Sequence, residues 1–250
     1  MNVSHTLLIC TDDASNKIVK TTGQLALALL RRGLKVSILS SAEFESALDG
    51  VSADIVTYHA PEVKFKMPGV TNLSLALKKV LKEDSTIDML HVVGLGHASY
   101  PLTKVCDSLR VPAIATAMSM DSFQLTSFPF WKRKSYLKHL GTFNHVVVNS
   151  QLVLEQANTL HLDNVCLIKE GVEVGRFKPV LSKRPIRREL ELPESATLVC
   201  CMADICPANK QLDVVKLCMP LGDIIQVLLV GKIKDVAYLE EIRKELRRTA

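Results

Sequence analysis

The sequence predicts an α/β protein built on parallel sheets and divided into two domains. Three observations carry that prediction. Short apolar runs rich in β-branched residues recur along the chain, and segments of helical periodicity separate most of them. One strand–helix–strand unit, Asn144–Pro179, closes in a glycine turn and a connector bounded by proline. Beyond that connector a new αβ pattern begins, so the chain divides into a first domain, 1–179, and a second, 180–250.

The composition narrows the class further. At 250 residues with 48% hydrophobic and 23% charged side chains, the chain fits a globular protein with a substantial core. Aromatics are only 5%, so leucine and valine must fill that core. The net charge of +5 is a mild bias toward anionic ligands. The basic stretch Arg243–Arg248 reads as the exposed face of a helix, and no aromatic reader motif accompanies it, which excludes a nucleic-acid partner. Seven cysteines occur, with no C-x-x-C pair. Zinc and thioredoxin-like chemistry therefore lack their spacing, and buried free thiols in a reducing compartment are expected. No metal and no cofactor are expected. The start MNVSHTLLIC lacks the basic region of a signal peptide, and no apolar run approaches the ~20 residues that span a bilayer. The expected location is cytoplasmic, with peripheral membrane contact left open.

In chain order, Thr6–Cys10 is the first strand, followed by the loop Thr11–Asn16 and a helix over 17–32 that Gly33 stops. Asp13 and Ser15 read as helix caps, with acceptor binding by Asp12 and Asp13 as the other reading. Leu34–Leu39 is the second strand, a Rossmann-like opening. Asp54–Tyr58 is the third. Pro61–Pro68 is a loop, and Asn72–Lys82 a helix with Leu73, Leu75, Ala76, Leu77, Val80 and Leu81 toward the core. Ile87–Val93 is the fourth strand and ends in Gly94-Leu95-Gly96-His97. A helix over 98–109, kinked near Pro101, leads to the fifth strand, Ala113–Ala117, and then to Met118-Ser119. Ser127–Leu140 mixes Phe128, Phe130, Trp131 and Tyr136 with Lys132, Arg133, Lys134 and Lys138 and reads as a packed helix with a solvated basic face. Val146–Val148 is a strand, Gln151–Leu160 a helix that Asn149-Ser150 can cap, with Leu152, Val153, Leu154, Ala157 and Leu160 inward, and Val165–Ile168 the next strand. In the second domain, Arg187–Leu192 is a helical turn, Thr197–Met202 and Asp223–Gly231 are strands, and Asp235–Arg248 is a helix.

The unit Asn144–Pro179 resembles the interdomain segment of family-4 glycosyltransferases, retaining sugar-nucleotide enzymes with two facing Rossmann-like domains (the GT-B fold). Ser150, Gly171, Val172, Arg176, Phe177 and Pro179 match its pattern, while Glu170 stands for the usual Asn and Glu173 for the usual Asp. The resemblance extends upstream. Asp88 and His91 match an Asp-x-x-His-x-His pattern in which Val93 replaces the second His. Pro112 and Thr116 match the fifth strand, with Met118 in place of a His near the donor sugar. In the first loop Asp12-Asp13-Ala14-Ser15 replace the family's Gly-Gly. The aromatic-basic helix is similar to the acceptor-side or membrane-facing helix of some members.

The resemblance implies transfer of a sugar from a nucleotide-sugar donor to an acceptor hydroxyl with retention, by a first domain that faces the acceptor and a second that holds the donor. In the second domain the family shows Gly-Arg-x-x-x-x-Lys around the diphosphate. Here Asp204 takes the Arg place and Lys210 remains as a point charge, open equally to the reading of a surface lysine. Gly171 and Gly231 join Lys210 as implied donor-binding residues. Gly94, Gly96, His97, Met118 and Ser119 are the implied cleft lining, since ligands of open parallel sheets bind beyond the carboxyl ends of strands. His97 is equally readable as a helix cap or a surface residue, and His91 as an interior histidine. No catalytic residue is assigned.

The family's paired glutamates, spaced Glu-x7-Glu, belong to a region beyond the resembling part, so the resemblance covers a whole first domain and about half of a second. The expectations that follow are a partner chain completing the second domain, a piece of a longer enzyme inactive by itself, or a non-catalytic relative that binds a glycan or a protein. A nucleotide-binding oxidoreductase is a further alternative, against which stand the missing third glycine and acidic ribose partner.

Overall fold

The computed structural model describes residues 3–11, 16–40, 54–60, 72–96, 99–123, 125, 129–172, 174–175 and 177–247. Two compact units divide between Gly171 and Val172.

The first unit is organised by seven parallel strands: β1 (His5–Cys10), β2 (Lys35–Ser40), β3 (Ile55–His59), β4 (Met89–Val93), β5 (Ala113–Ala117), β6 (His145–Val148) and β7 (Val165–Leu167). Their order across the sheet is β3-β2-β1-β4-β5-β6-β7. Among the described residues five α-helices lie in the connections: α1 (Asn16–Leu30), α2 (Asn72–Glu83), α3 (Tyr100–Ser108), α4 (Phe130–Leu140) and α5 (Gln151–Asn158). The strand pattern of period two splits β1 between two cores. Leu7 and Ile9 pack with Leu90, Val92, Ala115, Val146 and helices α2 to α5. Leu8 and Cys10 pack with Ile38, Ile55 and Ala26 of α1 on the other face. Both faces are covered, which is why these strands read as unbroken apolar runs.

The amino edge of this sheet is tied by a polar knot. The Asp88 carboxylate accepts from Ser4 N at 2.8 Å, Ser4 Oγ at 2.7 Å and His5 N at 3.1 Å. The His5 ring lies between Thr86 Oγ1 at 2.8 Å and Ser37 Oγ at 2.9 Å. Thr86 donates its single hydroxyl proton to Asp84 Oδ1 at 2.5 Å, so it accepts from His5. Nδ1 of His5 therefore carries the ring proton, and Nε2 accepts from Ser37.

The second unit contains α6 (Arg184–Glu189), β8 (Thr197–Met202), α7 (Gln211–Cys218), β9 (Ile225–Val230) and α8 (Val236–Arg247). β8 and β9 pair in parallel. Ile205, Leu212, Val215, Tyr238 and Ile242 form its core, with Val227 and Leu229 packed against them. No residue of β8 or β9 is fully buried.

Some expectations change. Pro101 does not kink a helix; α3 begins at Tyr100, and Pro101 sits in its first turn, where no backbone donor is needed. Leu75 and Leu152 are exposed, because each lies on the flank of its helix away from the sheet. Among the cysteines only Cys10 and Cys106 are buried, and Cys200 is exposed. Phe130 and Trp131 are not packed: they are 76% and 63% exposed. The Pro61–Pro68 loop, Ser127, Phe128 and Arg248 lie outside the described residues. Among those described, no helix is long and apolar enough to cross a membrane.

Two outcomes follow. Burial lowers the proton affinity of His5, Lys35 adding to it, and lowers that of His91 to about 4. Below about pH 6.5 the unfolded chain takes protons that the folded chain refuses, so stability falls as pH falls, by up to about 1.4 kcal/mol per pH unit for His91 and in the same direction for His5. The His91 contribution levels off near about pH 4, where the folded imidazole also protonates. Urea unfolding across this window checks it: His91→Gln flattens the profile, and equal slopes in parent and variant contradict it. The second outcome concerns the smaller unit, whose two strands bury little surface. Limited trypsin digestion cuts near Lys183–Arg188, a segment with one half-buried residue and the rest exposed, and leaves the first unit intact. Equal resistance of both units counts against it.

Candidate functional site

Strand order reverses between β1 and β4, and the carboxyl edge at such a switch is where an open α/β sheet holds ligands. The chain is stapled there. Thr11, just past β1, donates from Oγ1 to Gly94 O at 2.8 Å and from its amide to Val93 O at 3.4 Å. Gly94 has φ +86°, and a Cβ there would stand 2.7 Å from Ile18 Cδ1 and 3.1 Å from Thr11 Oγ1. The close approach that glycine permits is thus made by α1 and the first loop. The amides of Gly94 and Leu95 both donate to Thr116 O at 3.0 Å. Gly96 turns the chain into α3, its amide donating to Ser99 Oγ at 3.0 Å.

Beyond β5, β6 and β7 the edge is polar. Asn149 follows β6, and its amide nitrogen donates to Met118 O at 3.2 Å and to Glu170 Oε1 at 2.8 Å. Lys17, in the first turn of α1, meets the same carboxylate oxygen at 3.1 Å. The Asn149 hydrogen bond, with Lys17 adding, holds the Glu170 carboxyl below its usual range against a smaller cost of burial. Three elements far apart in sequence therefore converge on one anion at the carboxyl edge. Gly171 follows in open space: a Cβ there would meet no atom within 4 Å. Ser119 is exposed, and its carbonyl accepts from Ser122 N at 3.2 Å. Ser150 caps α5 by accepting from Val153 N. His91 donates or accepts at Thr116 Oγ1, 2.8 Å away, within β4 and β5, and so belongs to the interior.

Gly94, Gly96, Met118, Ser119 and Gly171 thus all follow carboxyl ends of parallel strands in the first unit. His97, Asp12, Asp13 and Ser15 lie outside the described residues. A cavity of about 70 Å³ lined by Cys106, Asp107, Val111 and Asn144 opens at the opposite, amino edge. A ligand pocket needs roughly 300 Å³ or more, so that cavity is no rival.

The second unit has its own carboxyl edge. Lys210 is exposed, sits at φ 54° and ψ 31°, and precedes α7. Asp204 directs Oδ1 at the Lys232 amide, 3.3 Å away, while its carbonyl accepts from Asn209 at 2.7 Å and Gln211 at 2.8 Å. A Cβ on Gly231 would lie 2.0 Å from Ala203 O, so only glycine lets the ends of β8 and β9 meet. Ile205 N donates to Lys232 O at 2.8 Å and completes that zipper. Among the described residues no group of three or more His, Cys, Asp or Glu could hold a metal ion.

Sequence reasoning singled out the strand-end glycines but not the Lys17–Glu170–Asn149 cluster. The available signal was a polar Asn149 directly after an apolar strand and an acid, Glu170, where the resemblance implies Asn.

Known proteins share the fold. The sequence matches the family described as Glycosyltransferase Family 4 over residues 18–176. No curated protein sequence matches the chain. Among solved structures, HepE of Anabaena in complex with UDP superposes with a TM-score of 0.76 at 14% identity, over 99% of this chain and 66% of that one. The UDP-GlcNAc 2-epimerase of Neisseria meningitidis bound to UDP-GlcNAc gives 0.59 at 12% identity, over 100% and 70%. MurG of Acinetobacter baumannii gives 0.52 at 12% identity, over 94% and 68%. The chain spans just under two thirds of the HepE structure's length. At these identities the likeness establishes the fold, an α/β arrangement of the GT-B, Rossmann-like class. With more than half of its residues matched by the family, the chain belongs to glycosyltransferase family 4.

Proposed function

We propose that the chain serves transfer of a sugar from a nucleotide-sugar donor to an acceptor hydroxyl, with retention at the anomeric carbon, in the cytoplasm. The observation that carries this reading is the polar carboxyl edge of the first unit, at the reversal of strand order, in a chain of this family. Residues 1–179 take the acceptor side, with Gly94, Gly96, Met118 and Ser119 along the edge. Residues 180–250 take the donor side, with Lys210 as the diphosphate's point charge and Gly171 and Gly231 where backbone approaches the donor. UDP is the favoured nucleotide, because HepE and the Neisseria epimerase are complexes with UDP or a UDP-sugar. Transfer of this kind depends on positioning and on stabilising the leaving diphosphate, for which Lys210 supplies the positive charge.

A second reading has its own observation. Asp204 replaces the cation of the family pattern, and its carboxylate is engaged with the Lys232 amide. A carboxylate there opposes a diphosphate, which favours a relative that binds a glycan or a protein without catalysis. Two unit charges ~4 Å apart interact by about 4 kcal/mol at an effective dielectric near 20, so one side chain's sign decides much.

Titration calorimetry with UDP tests the donor site. Lys210→Ala abolishes measurable binding, and Asp204→Arg tightens it tenfold or more. A UDP-sugar hydrolysis assay separates the two readings: turnover lost in Lys210→Ala supports transfer, and absence of turnover with glycan binding retained supports the second. Turnover unchanged in Lys210→Ala would place the donor elsewhere.

A further inference from the structure

Among the described residues, His161, Glu191 and Lys210 have left-handed backbone without being glycine. His161 and Glu191 lie in the turns that follow α5 and α6, where such a residue is an ordinary helix stop. Lys210 is the residue from which α7 starts, at φ 54° and ψ 31°. That place is usually taken by an extended residue whose side chain caps the helix, and Lys210 makes no such cap. Left-handed backbone crowds a Cβ, and asparagine tolerates it better than lysine, yet the asparagine stands one residue earlier. The conformation is therefore held from outside the residue.

Two side chains hold it. Asn209 Nδ2 donates to Asp204 O at 2.7 Å, and Gln211 Nε2 donates to the same oxygen at 2.8 Å. The residues on either side of Lys210 thus return to one carbonyl just past β8, and Lys210 stands exposed between them. The start of α7 is fixed as well. The Leu212 amide donates to Tyr238 Oη at 2.9 Å, and Lys210 O accepts from the Asp213 amide at 3.1 Å. Gln211 itself is fully buried, and its Oε1 has no hydrogen-bond partner among the described residues. An apolar side chain of similar length would fill that space without leaving an acceptor unpaired. A left-handed lysine and an orphaned amide oxygen therefore sit in adjacent residues. Unfavourable features of this kind gather where a chain holds a functional group in place.

We infer that Asn209 and Gln211 are positioning residues of the donor site. By gripping Asp204 O from both sides of Lys210 they fix the direction in which its side chain leaves the backbone. A lysine stem is flexible, so the places its ammonium visits are decided by where the stem begins. With that start set in advance, less order is lost when the diphosphate binds. The inference rests on the donor reading above and extends it to two residues that act through Lys210.

The test is titration calorimetry of the full chain with UDP, beside thermal unfolding and the Lys210 Cα and Cβ chemical shifts. Gln211→Met keeps the buried volume and removes both the grip and the orphaned oxygen. Its expected outcome is weaker UDP binding with an unfolding midpoint no lower than the parent's. Asn209→Ala/Gln211→Met weakens binding about tenfold, the worth of one hydrogen bond to a charged group, and moves the Lys210 shifts off their left-handed values. Parental affinity in both variants, with binding abolished in Lys210→Ala, overturns the inference and leaves the donor reading intact. So does weaker binding with the Lys210 shifts unchanged. Affinity and midpoint lost together in Gln211→Met mark a merely structural role and overturn it too. A parent chain that binds no UDP, or binds it equally in Lys210→Ala, removes the donor reading itself and the inference with it.

Discussion

Every residue of β1 is buried, so both of its backbone edges must be hydrogen bonded inside the protein. β2 pairs along one edge and β4 along the other, both in parallel. That double pairing sets the direction of the remaining strands and gathers the loops after them on one side. It also places the reversal of strand order at Thr11 and Gly94. The staple between those residues, and the filling of the space above Gly94 by Ile18, are the local cost of bringing α1 so close to the switch.

The two edges of the sheet carry polar groups for different ends. At the amino edge, the groups around His5 satisfy one another: Thr86, Ser37, Asp84 and Asp88 leave His5 with a defined tautomer and a bound chain start. At the carboxyl edge, Glu170 is held by Asn149 and Lys17 but remains half in water. At the amino edge His5 and Ser37 are buried, while Ser4 and Thr86 stand exposed and Asp84 and Asp88 are half-buried, so the carboxylates of both edges stay within reach of water. In the second unit Asp204 is used to close the β8 and β9 loops, so the same side chain that opposes an anion also supports the backbone near Lys210.

Much of this was readable from residues. β5 and β8 run over the stretches their apolar runs mark, β5 inside the seven-stranded parallel sheet and β8 in a parallel pair with no fully buried residue. Gly94, Met118 and Gly171 were legible because they end such runs. The Lys17–Glu170–Asn149 cluster was not, since it is assembled from α1, β6 and β7 with no spacing in sequence to announce it. The outward face of Leu152 was hidden for a related reason: α5 lies over the narrow end of the sheet at β7, where only Val153 and Ala157 reach full cover. The exposure of Phe130 and Trp131 also escaped a reading in which aromatic side chains belong in cores.

The pairing of β1 with β4 has a consequence for how the chain is made. Thr6 faces Met89 across the ladder, and everything between them is synthesised before the contact can form. At ~5–20 residues per second the ribosome takes on the order of ten seconds over that stretch. Throughout it β1, every residue of which is buried in the folded sheet, has β2 as its only available neighbour, and closing the long loop to β4 is the slow, entropy-opposed step of folding. A nascent chain stalled before Met89 therefore presents Leu7, Leu8 and Ile9 to chaperones.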